Sequence, residues 1–469
     1  MKQLLFNSLE FIFLFLPVSF VVYFILNKYK LVLFSRIWLV ACSLFFYSWW
    51  DIKYLPLLLL SIFFNFGLGI IISKHRERFN PFFVLLVGIS INVLLLGYYK
   101  YYDFFIVNIN DIFSSDLNLI NVILPLGISF FTFTQIAFLV DAYKKEVKEF
   151  DIVNYMLFVT YFPHLIAGPI LHHKEMMPQF ASLKNKFINY KNVSRGLFIF
   201  SIGLFKKVII ADTFAGWASY GFDKTSSLNF YESWATSLSY TFQLYYDFSG
   251  YTDMAIGIAL LFNIKLPNNF NSPYKALNIQ DFWRRWHMTL SRFLRDYIYI
   301  PMGGNRKGLY RTYTNLLITF IIGGIWHGAG WTFLFWGFLH GIALVLHRIW
   351  SGLHIKMNKV IAWFITFNFI NITWVFFRAK DWDHAIKVLN GMFGLTGLSM
   401  SISDNAFANL PYAFLLILLF LFVVTITKNS IELMDEFKPS IRSAIVISII
   451  FVVSVLLSQK VSEFLYFNF

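Results

Sequence analysis

Apolar positions along this chain fall in long, nearly unbroken runs, not in the one-sided stripes of amphipathic helices or the alternation of strands. The first run, Leu4 to Leu26, is interrupted only by Glu10. A helix needs about 20 apolar residues to span roughly 30 Å of hydrocarbon. Comparable runs recur up to residue 143 and again near 360–377, 410–427 and 441–458. The pattern predicts an all-α polytopic membrane protein with about 11 hydrophobic segments, because helices satisfy their own backbone in lipid. The first run is longer than the roughly 7–15 apolar residues of a signal core, and no small-x-small site follows it. It is expected to stay as the first span.

Polar residues between the runs fix an orientation. Lys28, Lys30 and Arg36 are followed by a turn with Lys53 alone, then by Lys74, Arg76 and Arg78. Lys100 then stands against Asp103, Asp111 and Asp116, and Lys144, Lys145 and Lys148 come next. Basic loops lie on the cytoplasmic side, so this alternation predicts a multi-pass protein with its N-terminus outside. Residues 152–171 break the alternation. They contain Pro163, His164, Gly168 and Pro169, with lysines on both sides. A broken or re-entrant helix buried in protein and two short interfacial helices are equally compatible with that stretch. The basic segment 265–311 is expected on the cytoplasmic side, and 379–409 reads as a polar connection. With no internal repeat and no soluble domain, residues 1–469 are expected to form one integral membrane domain. It would comprise N-terminal spans 1–150, a core with re-entrant pieces over 151–350 and C-terminal spans 351–469.

Composition narrows the function classes. Hydrophobic residues make up 58% and charged residues 14%, against about 25% charged in soluble domains. The net charge of +14 is explained by the cytoplasmic loops, so no nucleic-acid partner is expected; the partner implied by the runs is the bilayer. A single cysteine, Cys42, leaves no intrachain disulfide and no cysteine metal cluster. No metal site is expected.

Candidate chemistry centres on one histidine. No Asp, Glu, Lys or Arg occurs in the 36 residues between Arg311 and Arg348, a length awkward for one span and short for two with a loop. Gly323-Gly-Ile-Trp-His-Gly-Ala-Gly330 lies in its middle, and four glycines in eight residues predict a break there. His327 lies about 24 Å along a straight helix from Arg311 at 1.5 Å per residue, within the membrane. An ionisable group at that depth needs a cavity or a partner, and imidazole suits proton transfer near neutrality. His340 and His347 share one helical face and read as packing or interfacial groups. In Asp281-Phe-Trp-Arg-Arg-Trp-His287 and its continuation, a single helix would align Arg284, His287, Ser291 and Arg295. Those arginines suit either phosphate recognition or lipid headgroups. A third cluster holds Tyr246, Asp247 and Asp253 in an apolar run; its carboxylates need partners, for which the same arginines are expected.

Three segments together carry a resemblance: Tyr245-Tyr-Asp-Phe-Ser-Gly-Tyr-Thr-Asp-Met-Ala-Ile-Gly257, Phe282-Trp-Arg-Arg-Trp-His287 and Gly324-Ile-Trp-His-Gly328. In this order they resemble the membrane-bound O-acyltransferase (MBOAT) superfamily, in its bacterial branch of alginate and peptidoglycan O-acetyltransferases. Leu5-Phe-Asn-Ser-Leu-Glu-Phe11 and Phe376-Phe-Arg-Ala379 resemble that branch too. The resemblance implies a helical disc with re-entrant helices and a central tunnel, an essential His327, and His287 as its cytoplasmic-side partner. It also implies a place in the bacterial cytoplasmic (inner) membrane, and acetyl-CoA as the acyl-donor substrate with no bound cofactor. Donor-binding or tunnel candidates are then Trp326, Arg284, Arg285, Ser291, Arg295, Tyr246 and Asp247. In that branch the acetyl group passes to an extracytoplasmic partner transferase of SGNH or esterase type, which modifies a polysaccharide. Peptidoglycan is the leading acceptor, with alginate or another exopolysaccharide as the alternative; teichoic acid D-alanylation belongs to a sister branch. The reading from another class is a proton-coupled transporter or flippase using His327 as a relay. Paired repeats, common in transporters, are not seen.

Overall fold

The computed structural model describes residues 4–398, 409–458 and 464–465. Residues 399–408 of the expected polar connection lie outside the described residues. All regular elements among the described residues are helices. A π-helical turn, Phe11–Phe15, leads into α1 (Leu16–Lys28), followed by α2 (Val32–Ser48), α3 (Leu55–Lys74), α4 (Pro81–Leu96) and α5 (Tyr102–Phe113). Then come α6 (Ile128–Tyr143), α7 (Ile152–Thr160), α8 (His173–Ala181), α9 (Tyr190–Phe205), α10 (Asp212–Ser219) and α11 (Phe230–Leu261). The remainder is α12 (Ile279–Trp283), α13 (Met288–Leu294), α14 (Gly308–His327), α15 (Trp331–Gly352), α16 (Lys359–Arg378), α17 (Trp382–Met392), α18 (Leu410–Ile426), α19 (Ser430–Glu436) and α20 (Ile441–Leu457).

Five helical stretches among the described residues are long and apolar enough to cross a membrane: Phe11–Lys28, Ile52–Lys74, Pro81–Phe113, Trp331–Gly352 and Lys359–Arg378. The α18–α19 pair, bent by 52°, makes a sixth if taken as one span. Three shorter apolar helices, α2, α6 and α20, accompany them. Several spans turn large apolar side chains outward, such as Leu60, Leu94 and Phe364, as lipid-facing helices do.

The chain divides into two compact units. Among the described residues, the first takes 4–202, 251–267, 437–458 and 464–465; the second takes 203–250, 268–398 and 409–436. In the first unit α3 and α4 are clasped by a reciprocal amide pair. Asn65 donates to Asn92 at 3.2 Å, and Asn92 donates back at 2.7 Å. Gln135 of α6 donates to Ser61 Oγ at 2.9 Å. Between apolar helices such bonds supply the specificity that hydrophobicity cannot.

Residues 152–171 form a broken segment. The nine residues of α7 rise about 14 Å, under half of a bilayer core. The chain then runs without helix from Tyr161 to Leu171, every residue buried. Gly168 is needed there, because a Cβ would lie 2.3 Å from His164 Cα. Irregular backbone at depth is tolerated when buried in protein; two exposed interfacial helices are not what forms.

In the second unit the uncharged stretch around His327 is broken where expected, at Gly328-Ala-Gly330, and the break joins two complete helices, α14 and α15, in a tight hairpin. The stretch looked too short for two spans because both helices extend beyond it, α14 starting before Arg311 and α15 ending after Arg348. Gly323 and Gly324 do not break the helix. Gly324 faces Gly337 across the hairpin, where added Cβ atoms would meet Phe333 O and Phe320 O, each at 2.4 Å. These glycines let the two backbones touch.

Candidate active site

His327 is the last residue of α14, directly before the hairpin turn, where Gly328 is extended and its N–H reaches back to Gly324 O at 3.4 Å. The imidazole is 2% exposed. Trp326, Trp336 of α15 and Phe377 of α16 surround it, with ring centroids at 4.9, 5.1 and 5.0 Å. The α16 end is fixed to the start of α15 by Thr332 Oγ1, which donates to Ala379 O at 3.3 Å.

His287 packs into the same aromatic cluster. Its ring centroid lies 6.4 Å from that of His327 and 6.2 Å from Trp326. Phe248 of α11 meets it edge to face at 4.7 Å. The expected single helix aligning Arg284, His287, Ser291 and Arg295 does not form. His287 has a left-handed backbone, φ 41°, and separates α12 from α13. For a residue with a Cβ this conformation costs about 1–2 kcal/mol, and the adjacent loop holds it in place. Met288 N–H donates to Asn269 O at 3.0 Å, while Thr289 Oγ1 donates to Asn269 Oδ1 at 2.6 Å. The kink turns His287 fully inward, and burial holds its pKa down at about 3.

The arginines part company with the histidine. Arg284 and Arg295 are exposed and Arg285 is half-buried. Arg285 Nε pairs with Asp281 at 2.9 Å, and Arg295 Nε with Asp296 at 2.7 Å. Ser291 Oγ donates to Trp286 O at 3.4 Å. Trp326 touches both candidate histidines. Tyr246 is buried against Phe420, its ring centroid 5.4 Å away.

The arginines were also the expected partners of Asp247, and the structure gives it a different cation. Lys207, 5% exposed, donates to Asp247 at 2.6 Å and to Asp212 at 3.1 Å. A lysine already stands beside the carboxylate inside the unit, so the surface arginines are not needed there. Sequence reasoning passed over Lys207, although a lysine in the apolar run 197–211 carries the same demand for a partner as a buried aspartate. It also passed over Trp336, Phe248 and Phe377 as walls of the histidine chamber. Aromatic residues are too frequent here, 21% of the chain, for any one to stand out, though Phe377 lay within the Phe376-Phe-Arg-Ala379 motif.

His340 is a packing residue, as expected. Trp283 Nε1 donates to its Nδ1 at 3.1 Å, and its Nε2 lies 3.2 Å from Thr373 Oγ1. An indole only donates, so Nδ1 is the acceptor and Nε2 carries the proton.

The chain is similar to known proteins along nearly its whole length. It is 51% identical to the peptidoglycan O-acetyltransferase of Helicobacter pylori, over 99% of this chain and 98% of that protein. It is 36% identical to the probable alginate O-acetylase AlgI of Pseudomonas putida, over 86% and 83% respectively. The teichoic acid D-alanyltransferase of Streptococcus thermophilus matches more distantly, 26% identical over 54% of this chain and 68% of its own length. Residues 44–380 match the profile of the MBOAT, membrane-bound O-acyltransferase family, a range that includes both histidines and the hairpin. The chain belongs to the membrane-bound O-acyltransferase family and is an acyl-transferring enzyme.

Proposed function

We propose that this protein takes acetyl from cytoplasmic acetyl-CoA and passes it across the membrane for O-acetylation of an extracytoplasmic polysaccharide, peptidoglycan first among the candidates. The end-to-end likeness to a protein named peptidoglycan O-acetyltransferase supports this acceptor over alginate, for which the relatives are 36% identical. The observation that carries the reaction is the pairing of His287 and His327 in one buried aromatic chamber, 6.4 Å apart. Membership in a family of acyl-transferring enzymes also sets aside the transporter reading.

Acetyl transfer needs a hydroxyl that loses its proton and a thioester carbonyl that gains negative charge. Neutral His327 acts as general base on the accepting hydroxyl, an effect worth about 10²–10⁴ in rate, and returns the proton to the departing thiolate. His287, kept neutral by burial, orients the donor beside it. Trp326, in contact with both rings, lines the donor's path. The burial of both histidines keeps water from the thioester and strengthens every dipole aimed at the reacting carbonyl. Arg284, exposed and with no carboxylate partner among the described residues, is the first choice for the donor's phosphates; Arg285 and Arg295 share their charge with aspartates. A separate extracytoplasmic transferase of SGNH type completes transfer to the polymer.

Purified protein in liposomes, supplied with labelled acetyl-CoA, tests this. Wild type releases CoA and passes label to an acceptor, whereas His327→Ala inserts and binds donor normally but loses at least about 10²-fold in turnover. Wild-type turnover by His327→Ala rejects the assignment.

A further inference from the structure

Away from the histidines, the first unit holds two cations that no carboxylate answers. Lys186 closes the short turn Leu183–Lys186 and is 6% exposed. Its Nζ donates to Phe180 O at 2.9 Å and Tyr23 Oη at 3.3 Å, and lies 5.6 Å from the Tyr23 ring centroid. Arg36, near the start of α2, donates through Nη1 to Asn154 Oδ1 at 2.9 Å, while its Nε is buried with no hydrogen-bond acceptor. Neither has an ion-pair partner among the described residues. Hydrogen bonds through α1 link the two: Tyr23, which accepts from Lys186, also accepts at its carbonyl from Asn27, whose Oδ1 accepts at 2.9 Å from Ser35, the neighbour of Arg36. Burial first, and the Arg36 charge second, lower the Lys186 pKa to about 8.

Burying a charge without a counter-charge costs several kcal/mol. Lys186 is such a buried charge, and Arg36 is half-buried with its Nε enclosed; an anion between them completes the arrangement. Donors remain for one. An ammonium has three N–H bonds, of which Lys186 uses two; Arg36 Nε–H is unused; and Tyr23, accepting from Lys186, keeps its own O–H to give. A guanidinium beside an ammonium suits phosphate oxygens. The neighbouring surface points the same way. Leu183, Phe187 and Tyr190 are all strongly exposed, interleaved with Lys184 and Lys191. Such a mixture of apolar, aromatic and basic side chains lies at the headgroup level of a bilayer.

We propose that Arg36, Lys186 and Tyr23 form a binding site for a phosphate-bearing anion, supplied either by a phospholipid headgroup or by a free phosphate compound. The site is independent of the histidine chamber and of the acetyl-transfer reading. The competing account is a Lys186 amine sealed by Tyr23 and Phe180 alone, with no anion.

The test uses the full-length protein in a non-ionic detergent, its thermal midpoint followed during titration with phosphatidylglycerol, with diacylglycerol as a phosphate-free lipid, and with inorganic phosphate. Phosphatidylglycerol or inorganic phosphate raises the wild-type midpoint and diacylglycerol does not. In Arg36→Gln and Lys186→Met the half-saturating concentration rises about tenfold, the scale of one charge-assisted hydrogen bond. Response to phosphatidylglycerol alone identifies the headgroup as the source; response to inorganic phosphate as well identifies a free phosphate. Should Lys186→Met fail to fold, Arg36→Gln still reads the site, because it leaves the Lys186–Tyr23 bond untouched. A wild-type midpoint that neither phosphate source moves, or one that moves equally in the folded variants, overturns the proposal.

Discussion

Three buried histidines share one aromatic wall in the second unit, and their hydrogen bonds and backbone divide their roles. Trp336 touches both His327 and His340, at 5.1 and 4.7 Å, and His340 has its tautomer fixed by Trp283 and Thr373. The sequence distinguished His327 through its depth and its glycines, and left His340 as packing. It could not show His287 turning inward, because a left-handed backbone at a histidine leaves no mark on residue spacing. Burial of His287 has a pH signature. Its folded pKa lies below the ordinary value of about 6.5, so its contribution to stability is complete above that pH. The contribution is lost as pH falls toward the folded value of about 3, by up to about 1.4 kcal/mol per pH unit. His287→Gln escapes this loss, so the stability gap between wild type and variant should change steadily from pH 7 to pH 5. Thermal melts across that range check it; a constant gap would mean His287 is already solvated. Lys207 carries a second prediction. Removing one partner of a buried ion pair costs about 3–5 kcal/mol, so Lys207→Met should lower the melting temperature strongly. Lys207→Met with Asp247→Leu should recover much of it. Because Phe248 follows Asp247 and packs on His287, the single variant should also lose activity.

At the scale of elements, spacing located the break in the α14–α15 hairpin but not the close contact beside it. Of the four glycines near His327, Gly328 and Gly330 interrupt the helix as propensity predicts, whereas Gly323 and Gly324 stay helical and Gly324 serves helix contact instead. Gly324 and Gly337 are where the two backbones meet, so a methyl group there strikes carbonyl oxygens that cannot move aside. Gly324→Ala or Gly337→Ala should therefore splay the hairpin, shift His327 relative to Trp336, and reduce turnover by 10-fold or more, roughly what an ångström of misplacement costs. Gly352→Ala, at the end of α15 with nothing within 4 Å of the added atom, should leave turnover unchanged. Its effect on stability should stay within about 1 kcal/mol. Acetyl-CoA turnover beside thermal melts separates these cases. Equal activity in Gly324→Ala and Gly352→Ala would show that the close approach does not position the histidine. The broken segment was more legible. Pro163 and Pro169 signal an interrupted helix, and the chain runs without helix from Tyr161 to Leu171.

At the scale of the whole molecule, the membrane class was legible from the apolar runs and the family from three ordered motifs. The division into two compact units was not, since α9 and α11 each run through a boundary and no linker composition marks it. The exact span count was also beyond reach, because length and apolarity do not separate α2, α6 and α20 from full spans. Orientation is where charge and structure combine. Within the second unit, α14 begins, α15 ends and α16 begins amid Arg306, Lys307, Arg311, Arg348, Lys356 and Lys359. At the opposite ends of the same helices, Arg378 and Lys380 bond Asp223, and Asp381 bonds His384, so positive charge there is largely cancelled. The positive-inside rule therefore predicts the basic end in the cytoplasm and the hairpin tip, residues 328–330, toward the exterior. In the first unit, the same rule applied to Lys28, Lys30, Lys74 and Arg76 predicts an N-terminus outside. Cys42 is buried, so it gives little background in labelling. Single cysteines at Lys30 and Lys356 should react with a membrane-impermeant maleimide only after the cytoplasmic face is opened, whereas one at Lys380 should react in intact cells. Labelling of Lys356→Cys in intact cells would invert the second unit. The donor's arginines would then sit on the wrong side for acetyl-CoA, and the direction of transfer proposed here would fail with them.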